Sequence, residues 1–176
     1  MDITNSQAGA VMAADNHLET IFAAHYRRVA RTIAFVIGDC GRAEELAVEV
    51  FLRWSRDRSP KLSNSEPWIY RTAANIAIDE LRKQARLRRI TQVLGRFRSP
   101  PTPEEIHSTN QERDRVRAVL GRMHARDAEL LILRVQGFAY AELAEALTLN
   151  PASVGTLLRR AEESFRKEYT AKYGTR

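Results

Sequence analysis

Side chains suited to contact nucleic acid are concentrated between Trp68 and Arg89. At about 100° of rotation per helical residue, one face of a predicted helix is polar and carries Trp68, Arg71, Asn75, Asp79, Arg82 and Arg86. Lys83, Arg88 and Arg89 follow closely. An aromatic ring can stack on a base, an amide can hydrogen-bond a base edge, and cations can neutralise phosphates. The alternative is an ordinary solvated face, because charge runs are common on helix surfaces.

A helix-turn-helix motif is predicted near the end of the chain. A short helix over 140–147 precedes Thr148-Leu149-Asn150, and Pro151 opens a final helix. The inward stripe of this final helix is Val154, Leu158, Ala161 and Phe165. Its outward face would present small and cationic groups to the major groove, namely Ala152, Ser153, Thr156, Arg159 and Arg160. A plain helical hairpin is the alternative, since short motif matches also arise by chance.

The helices that must position these groups are predicted from apolar residues repeating every three or four positions. In the first half they start near Leu18, Arg42 and Pro67, and in the second half two more are centred around Leu120 and Leu131. The basic face between Trp68 and Arg89 lies opposite an apolar arc of Ile69, Ala73, Ile76, Ala77 and Leu81. No segment alternates like a strand, so we expect an all-α fold.

Two small helical domains are predicted on either side of a linker. Segment 95–111 contains Pro100, Pro101 and Pro103 and cannot continue a helix. We therefore expect domains over 17–94 and 112–176, and residues 1–16, which lack apolar periodicity, are expected to form a flexible leader.

Composition narrows the function classes. The 176 residues carry a formal net charge of +6, which favours an anionic partner but also promotes solubility. Cys40 is the only cysteine, so an intramolecular disulfide and a cysteine-based zinc site are excluded and a reducing cytoplasm is expected. The four histidines show no close pairing, so we expect no metal and no cofactor. The sequence shows neither a membrane span nor a phosphate loop, nucleophile elbow or metal-binding histidine pair, so we predict a cytoplasmic protein that is not an enzyme.

Five blocks of sequence, in a fixed order, resemble the extracytoplasmic-function sigma factors of bacterial RNA polymerase. In the first half these are residues 26–29 (YRRV), 43–52 (AEELAVEVFL) and 68–82 (WIYRTAANIAIDELR). In the second half, residues 137–147 (GFAYAELAEAL) and 153–161 (SVGTLLRRA) resemble the reader of the upstream promoter element. Together the blocks and their surroundings cover nearly everything from Leu18 to Tyr169.

The resemblance implies three binding surfaces. Contacts to the clamp helices of the polymerase would come from Glu44, Glu45, Leu46, Glu49, Phe51 and Leu52, although Leu46 and Phe51 could instead serve only the core. The downstream promoter element would be held by Trp68, Arg71, Asn75, Arg82 and Lys83, and a flipped base would be received by Ser63, Asn64, Ser65 and Glu66. The upstream element would be read by the outward face of the final helix, and the linker would thread toward the RNA path.

Some positions depart from the family pattern. Val48 stands where a glutamine is common, so a polar contact would be missing or replaced by packing. Ala74 replaces a frequent arginine before Asn75, which weakens the case for one phosphate contact but leaves the amide. Gly155 and Leu157 occupy positions that are often lysine and arginine, so we expect fewer or rearranged upstream contacts.

The expected function is that of a sigma factor, which binds core RNA polymerase, recognises two promoter elements and promotes strand opening. Its expected partners are core polymerase, promoter DNA as duplex and as single non-template strand, and an inhibitory anti-sigma factor. A stand-alone helix-turn-helix regulator is the alternative. That function would not explain the acidic and apolar segment 44–52 or the basic helix face over 68–86. A helical enzyme or adaptor remains a third possibility without a supporting motif.

Overall fold

The structure, a computed structural model, describes residues 3–56, 65–95 and 111–174. Its helices are α1 (Ile3–Ile37), α2 (Cys40–Arg56), α3 (Ser65–Gly95), α4 (Gln111–Leu120), α5 (Ala125–Val135), α6 (Tyr140–Ala146) and α7 (Val154–Tyr173). A 3₁₀ turn over Pro151–Ser153 leads into α7. Within the described ranges no residue lies in a β-strand, which confirms the predicted all-α fold.

The N-terminal half is built from α1, α2 and α3, which pack against one another. Val29, Ile33 and Val36 lie three or four residues apart on α1, and all three are fully buried. The stripe of α2 that joins this core is Ala43, Leu46, Ala47, Val50, Phe51 and Trp54. Each fully buried aliphatic side chain contributes about 1.5–3 kcal/mol relative to exposure, so this core fixes the outward faces of α2 and α3.

A sharp turn separates α1 from α2. Gly38 ends α1 with a φ of 79°, a conformation that glycine adopts without steric cost. Asp39 then accepts a hydrogen bond at 3.0 Å from the backbone N–H of Arg42 and so caps α2. The Arg117 guanidinium of the C-terminal half also lies against this turn, since a Cβ at position 38 would be 2.5 Å from its Cζ.

Residues 1–16 were expected to form a flexible leader, and in the structure α1 begins at Ile3. The segment is small and polar and has no apolar periodicity. However, the segment is rich in alanine, with glutamine and methionine among its neighbours, and all three have high helix propensity. A helix already stabilised by packing beyond Leu18 can extend through such residues without an apolar face of its own.

The C-terminal half contains α4 to α7. α7 contacts α4, α5 and α6, and its predicted inward residues Val154, Leu158 and Ala161 are buried. Leu130 and Leu133 of α5 are fully buried in the same core. This packing leaves the opposite face of α7 in solvent.

The two halves pack on each other, and α3 is the helix that joins them. It contacts α1 and α2 on one side and α4, α5 and α6 on the other. In addition to the predicted apolar arc, Tyr70, Ala74 and Ile78 form a second stripe at four-residue spacing that is at most 1% exposed. This second stripe makes the buried core continuous across the two halves. The apolar pattern of the sequence did not predict it.

Specific contacts close this interface. The rings of Tyr70 and Phe138 meet edge to face with centroids 5.0 Å apart. The Arg28 guanidinium lies 4.8 Å from the Tyr70 ring and 5.0 Å from the Phe138 ring, and it donates a hydrogen bond to the Gln136 carbonyl at 3.2 Å. Arg82 donates to the carbonyls of Gly121 and Met123 at 3.3 and 3.0 Å. Residues 96–110 of the predicted linker lie outside the described residues.

Candidate nucleic-acid and protein interfaces

The outward face of α2 carries the predicted acidic contacts. Glu44 and Glu45 are exposed and Glu49 is half-buried. Glu45 pairs with Arg42 and Glu49 with Arg53, each at 2.6 Å. These pairs lie three and four residues apart on a solvated helix, where such pairs contribute only about 0.3–0.5 kcal/mol, so the carboxylates can exchange their partners for those of another protein.

The apolar residues of this predicted surface divide into two groups. Leu46 is 4% and Phe51 is 2% exposed, so both belong to the core, the alternative that the sequence left open for them. Leu52, in contrast, is 47% exposed. It lies beside Val48 and Phe22, which are 42% and 36% exposed, in an open cavity of about 420 Å³ that Phe51 also lines.

Phe22 was not among the predicted site residues, and Val48 was noted only as a departure from the family pattern. Their exposure places an apolar patch directly beside the carboxylates of α2. We define this α2 surface as Glu44, Glu45, Val48, Glu49 and Leu52, together with Phe22. Exposed apolar side chains grouped in this way mark an interaction site for another protein.

The predicted downstream promoter surface lies on α3. Arg71 and Lys83 are exposed, and Trp68, Asn75 and Arg82 are half-buried. Ser65 is half-buried at the start of the helix, whereas Ser63 and Asn64 lie outside the described residues. Exposed Glu66 lies 3.7 Å from Arg28 and 4.0 Å from His25, so it is anchored to α1. The helix therefore carries stacking, amide and cationic groups together.

Part of this α3 face is engaged by the C-terminal half. Both hydrogen bonds donated by Arg82 go to carbonyls just after α4, so its guanidinium is occupied within the molecule. Ala74 is fully buried, and packing explains why this position holds no arginine.

Glu129 of α5 is only 6% exposed. Burial raises the pKa of the Glu129 carboxyl, and this effect is opposed by the positive charges of Arg71, Arg126 and His124.

The helix-turn-helix is formed by α6, the turn after it and α7. Glu142 accepts a hydrogen bond at 2.6 Å from the Ala139 backbone N–H and fixes the start of α6. Thr148 takes a φ of 53° in the turn. Asn150 then accepts from the Ala152 backbone N–H at 3.0 Å, which caps the 3₁₀ turn.

The predicted outward face is formed by α7 together with the 3₁₀ turn before it, to which Ala152 and Ser153 belong. Ala152, Thr156, Arg159 and Arg160 are exposed, and Ser153 is half-buried. Arg159 lies 3.6 Å from Glu163, a solvated pair that a phosphate can replace. The face carries small side chains at its N-terminal end and cations farther along.

Two other kinds of site are absent from the described part of the chain. No cluster of three or more histidine, cysteine, aspartate or glutamate side chains is arranged there to hold a metal ion. Among the same residues, no helix has the length and apolar character needed to cross a membrane.

Comparison with known proteins identifies both halves. Residues 21–87 match the family described as Sigma-70 region 2, and residues 113–164 match Sigma-70, region 4. These matches contain the α2 and α3 surfaces in the first case and the helix-turn-helix in the second. A region 2 followed by a region 4 defines the class of sigma-70-type factors.

Two curated relatives support a narrower assignment. The chain is 25% identical over 156 residues to the ECF RNA polymerase sigma factor SigE of Mycolicibacterium smegmatis, covering 86% of this chain and 60% of that protein. It is 24% identical over 160 residues to the ECF RNA polymerase sigma factor SigX of Bacillus subtilis, covering 85% of this chain and 81% of that protein. The chain therefore belongs to the extracytoplasmic-function sigma factor family.

Proposed function

We propose that this chain is an alternative sigma factor, which brings core RNA polymerase to a promoter and helps to open it. The observation that carries the proposal is the order of the two matched regions, with exposed candidate contacts in each. The chain spans three fifths of the SigE relative, so the activity and the partners of the whole protein are part of the proposal.

Polymerase binding is assigned to the α2 surface. Its carboxylates suit a basic partner, and Phe22, Val48 and Leu52 suit an apolar strip beside those basic groups. The family resemblance implies that this partner would be the coiled-coil clamp helix pair of the polymerase's largest subunit. Charged contacts at the rim of such an interface mainly set partner choice and association rate, whereas the apolar centre sets the lifetime of the complex.

Promoter contacts are assigned to α7 and α3. The exposed face of α7 would enter the major groove at the upstream element, with Arg159 and Arg160 on phosphates or base edges. Trp68, Asn75 and Arg71 of α3 would hold the downstream element after it opens. The segment from Ser63 to Glu66 would receive a flipped base, and capture of that base offsets an unstacking cost of a few kcal/mol.

Promoter engagement in this proposal requires the halves to separate. Arg82 donates both of its hydrogen bonds to the C-terminal half, and the stripe of Tyr70, Ala74 and Ile78 is covered. Binding of α2 to polymerase and of α7 to DNA at two separated elements would draw the halves apart. The released Arg82 could then reach a phosphate.

The proposal assigns no catalysis to this chain, because RNA synthesis would be carried out by the polymerase in the cytoplasm. Because the chain belongs to this family, the proposal also includes an anti-sigma protein that binds the chain and inhibits it.

Run-off transcription with bacterial core polymerase tests the function. Genomic promoter fragments, including the one upstream of this chain's own gene, would be transcribed with and without the protein. We expect specific transcripts only when the protein is added. An absence of transcripts together with an absence of co-elution with core polymerase would refute the proposal and favour a stand-alone regulator.

A further inference from the structure

A strongly basic cleft lies where the end of α3 passes the C-terminal half. Its volume is about 460 Å³, and its walls include residues from both halves. Four of its arginines come from α3, namely Arg82, Arg86, Arg88 and Arg89. The opposite wall adds Arg117, Arg122 and Lys172. Asp114 is the one carboxylate among the described residues that line the cleft.

Only part of this positive charge is neutralised within the molecule, where Arg82 lies 3.9 Å from Asp79. Asp114 is bound by Arg117 at 3.0 Å, and Arg122 lies 3.5 Å from Glu168. Arg86, Arg88 and Arg89 are exposed and form no ion pair with any residue that the structure describes. Like charges held this close repel each other, so an anion placed among them would lower the free energy of the packed arrangement.

We propose that this cleft binds a compact anion carrying several phosphate groups, either a nucleotide or a free oligophosphate. The planar fork of a guanidinium matches two phosphate oxygens at once, so several arginines facing one cleft favour phosphates over isolated carboxylates. The volume falls within the usual range for small-molecule sites, about 300–1,000 Å³. A DNA duplex, whose phosphates extend along a rod, would need an open groove.

The proposed anion would hold the two halves together. Its ligands come from α3 on one side and from α4, α7 and the segment after α4 on the other, so the complete set exists only while the halves are packed. A ligand that binds one arrangement better than another shifts the population toward it. This arrangement also keeps Arg82 on the carbonyls of Gly121 and Met123. The anion would therefore oppose promoter engagement, a consequence that rests on the proposed function.

Binding itself is tested by isothermal titration calorimetry of the full chain at fixed ionic strength in magnesium-free buffer. The probes are inorganic tripolyphosphate and ATP. The cleft variant is Arg86→Gln with Arg89→Gln, and the matched control is Arg27→Gln with Lys167→Gln, which removes the same charge from exposed sites outside the cleft. We expect one anion per wild-type or control chain and at least about tenfold weaker binding to the cleft variant, since charge-assisted hydrogen bonds are lost.

The outcomes separate the sources of the ligand. Binding of both probes supports recognition of the phosphates alone, and binding of ATP only supports a nucleotide as the natural source. Equal affinities of the cleft and control variants, or binding of neither probe, would overturn the proposal. A random-sequence DNA duplex provides a further test. If the duplex displaces the anion, and if the cleft variant weakens duplex binding as much as it weakens anion binding, the cleft is a DNA surface and the proposal is overturned.

A second measurement tests the coupling between the halves. In a thermal melt, tripolyphosphate should raise the melting temperature of the wild type and the control but not that of the cleft variant. In a filter-binding assay with polymerase and promoter, the anion should weaken promoter binding by the wild type and by the control variant. Promoter binding by the cleft variant should not change when the anion is added. If calorimetry detects the anion but promoter binding does not change, the site stands and its proposed regulatory role fails.

Discussion

Arg28 offers the clearest test of the interface between the two halves. Its guanidinium lies within 5.0 Å of both the Tyr70 and the Phe138 ring, donates to the Gln136 carbonyl at 3.2 Å, and lies 3.7 Å from Glu66. Replacing Arg28 with alanine removes all of these contacts. The neighbouring Arg27 is exposed and forms no hydrogen bond, ion pair or ring contact with the described residues, so Arg27→Ala is the matched control.

The expected magnitude follows from the exposure of the side chain, which is 45%. At this exposure a cation–π contact contributes about 0.5–1 kcal/mol, and an exposed ion pair contributes at most about 1 kcal/mol. The hydrogen bond to Gln136 lies at the low end of the about 1.5–3 kcal/mol typical of charged donors, because water can replace it. We therefore expect Arg28→Ala to lower the free energy of unfolding by about 2 kcal/mol in total.

Thermal denaturation followed by circular dichroism measures this loss. For a chain of this size, about 2 kcal/mol corresponds to a fall in melting temperature of roughly 4–8 °C. Hydrogen exchange should also quicken on α3 around Tyr70 and near Phe138, while the start of α2 should be unaffected. Arg28→Lys should fall between wild type and alanine, since it keeps the charge but loses the planar stacking. Arg28→Ala and Arg27→Ala variants with the same melting temperature would refute the role of Arg28 in the interface.

Three further predictions concern pH, polymerase and DNA. Because burial raises the folded-state pKa of Glu129 above its unfolded value, its stabilising effect is present at low pH and is lost as pH rises through the folded pKa. Glu129→Gln should therefore melt higher than wild type near pH 7 and lose this advantage near pH 4, and a pH-independent difference in melting temperature would contradict the assignment. Glu44→Lys should weaken co-purification with core polymerase by about tenfold relative to Glu162→Lys, an exposed acid on α7, whereas equal binding of the two variants would remove Glu44 from the interface. Replacing Arg159 and Arg160 with alanine should reduce the slope of promoter affinity against salt by about two, measured by filter binding, and an unchanged slope would exclude phosphate contacts there.

Local patterns were sufficient to predict most helices and the helix-turn-helix. Apolar spacing predicted the inward stripe of α7, and the same spacing left Thr156, Arg159 and Arg160 facing outward, as the structure has them. Such predictions succeed because helical geometry relates neighbours three and four residues apart without reference to the rest of the fold. The site residues on α3 followed from the same rule, although their roles stay predictions.

Some features could not be read from one helix at a time. Leu46 and Leu52 are both leucines on α2, yet one is buried and the other exposed, and the difference depends on where α1 and α3 lie. The extension of α1 to Ile3 depended on propensity rather than periodicity, so the apolar pattern did not predict it. Phe22 became part of the α2 surface only because α1 and α2 lie side by side.

By itself, the sequence determined the helical class of this protein, the order of its two sigma-70 regions and the chemical types available on each outward face. These depend on residue type and short-range spacing, which the chain carries locally. Only the tertiary structure decided that α3 is buried on two sides, that Arg82 donates to Gly121 and Met123, and that cations of both halves line one cleft. Those features join residues some forty or more positions apart, and packing between the halves brings them into contact.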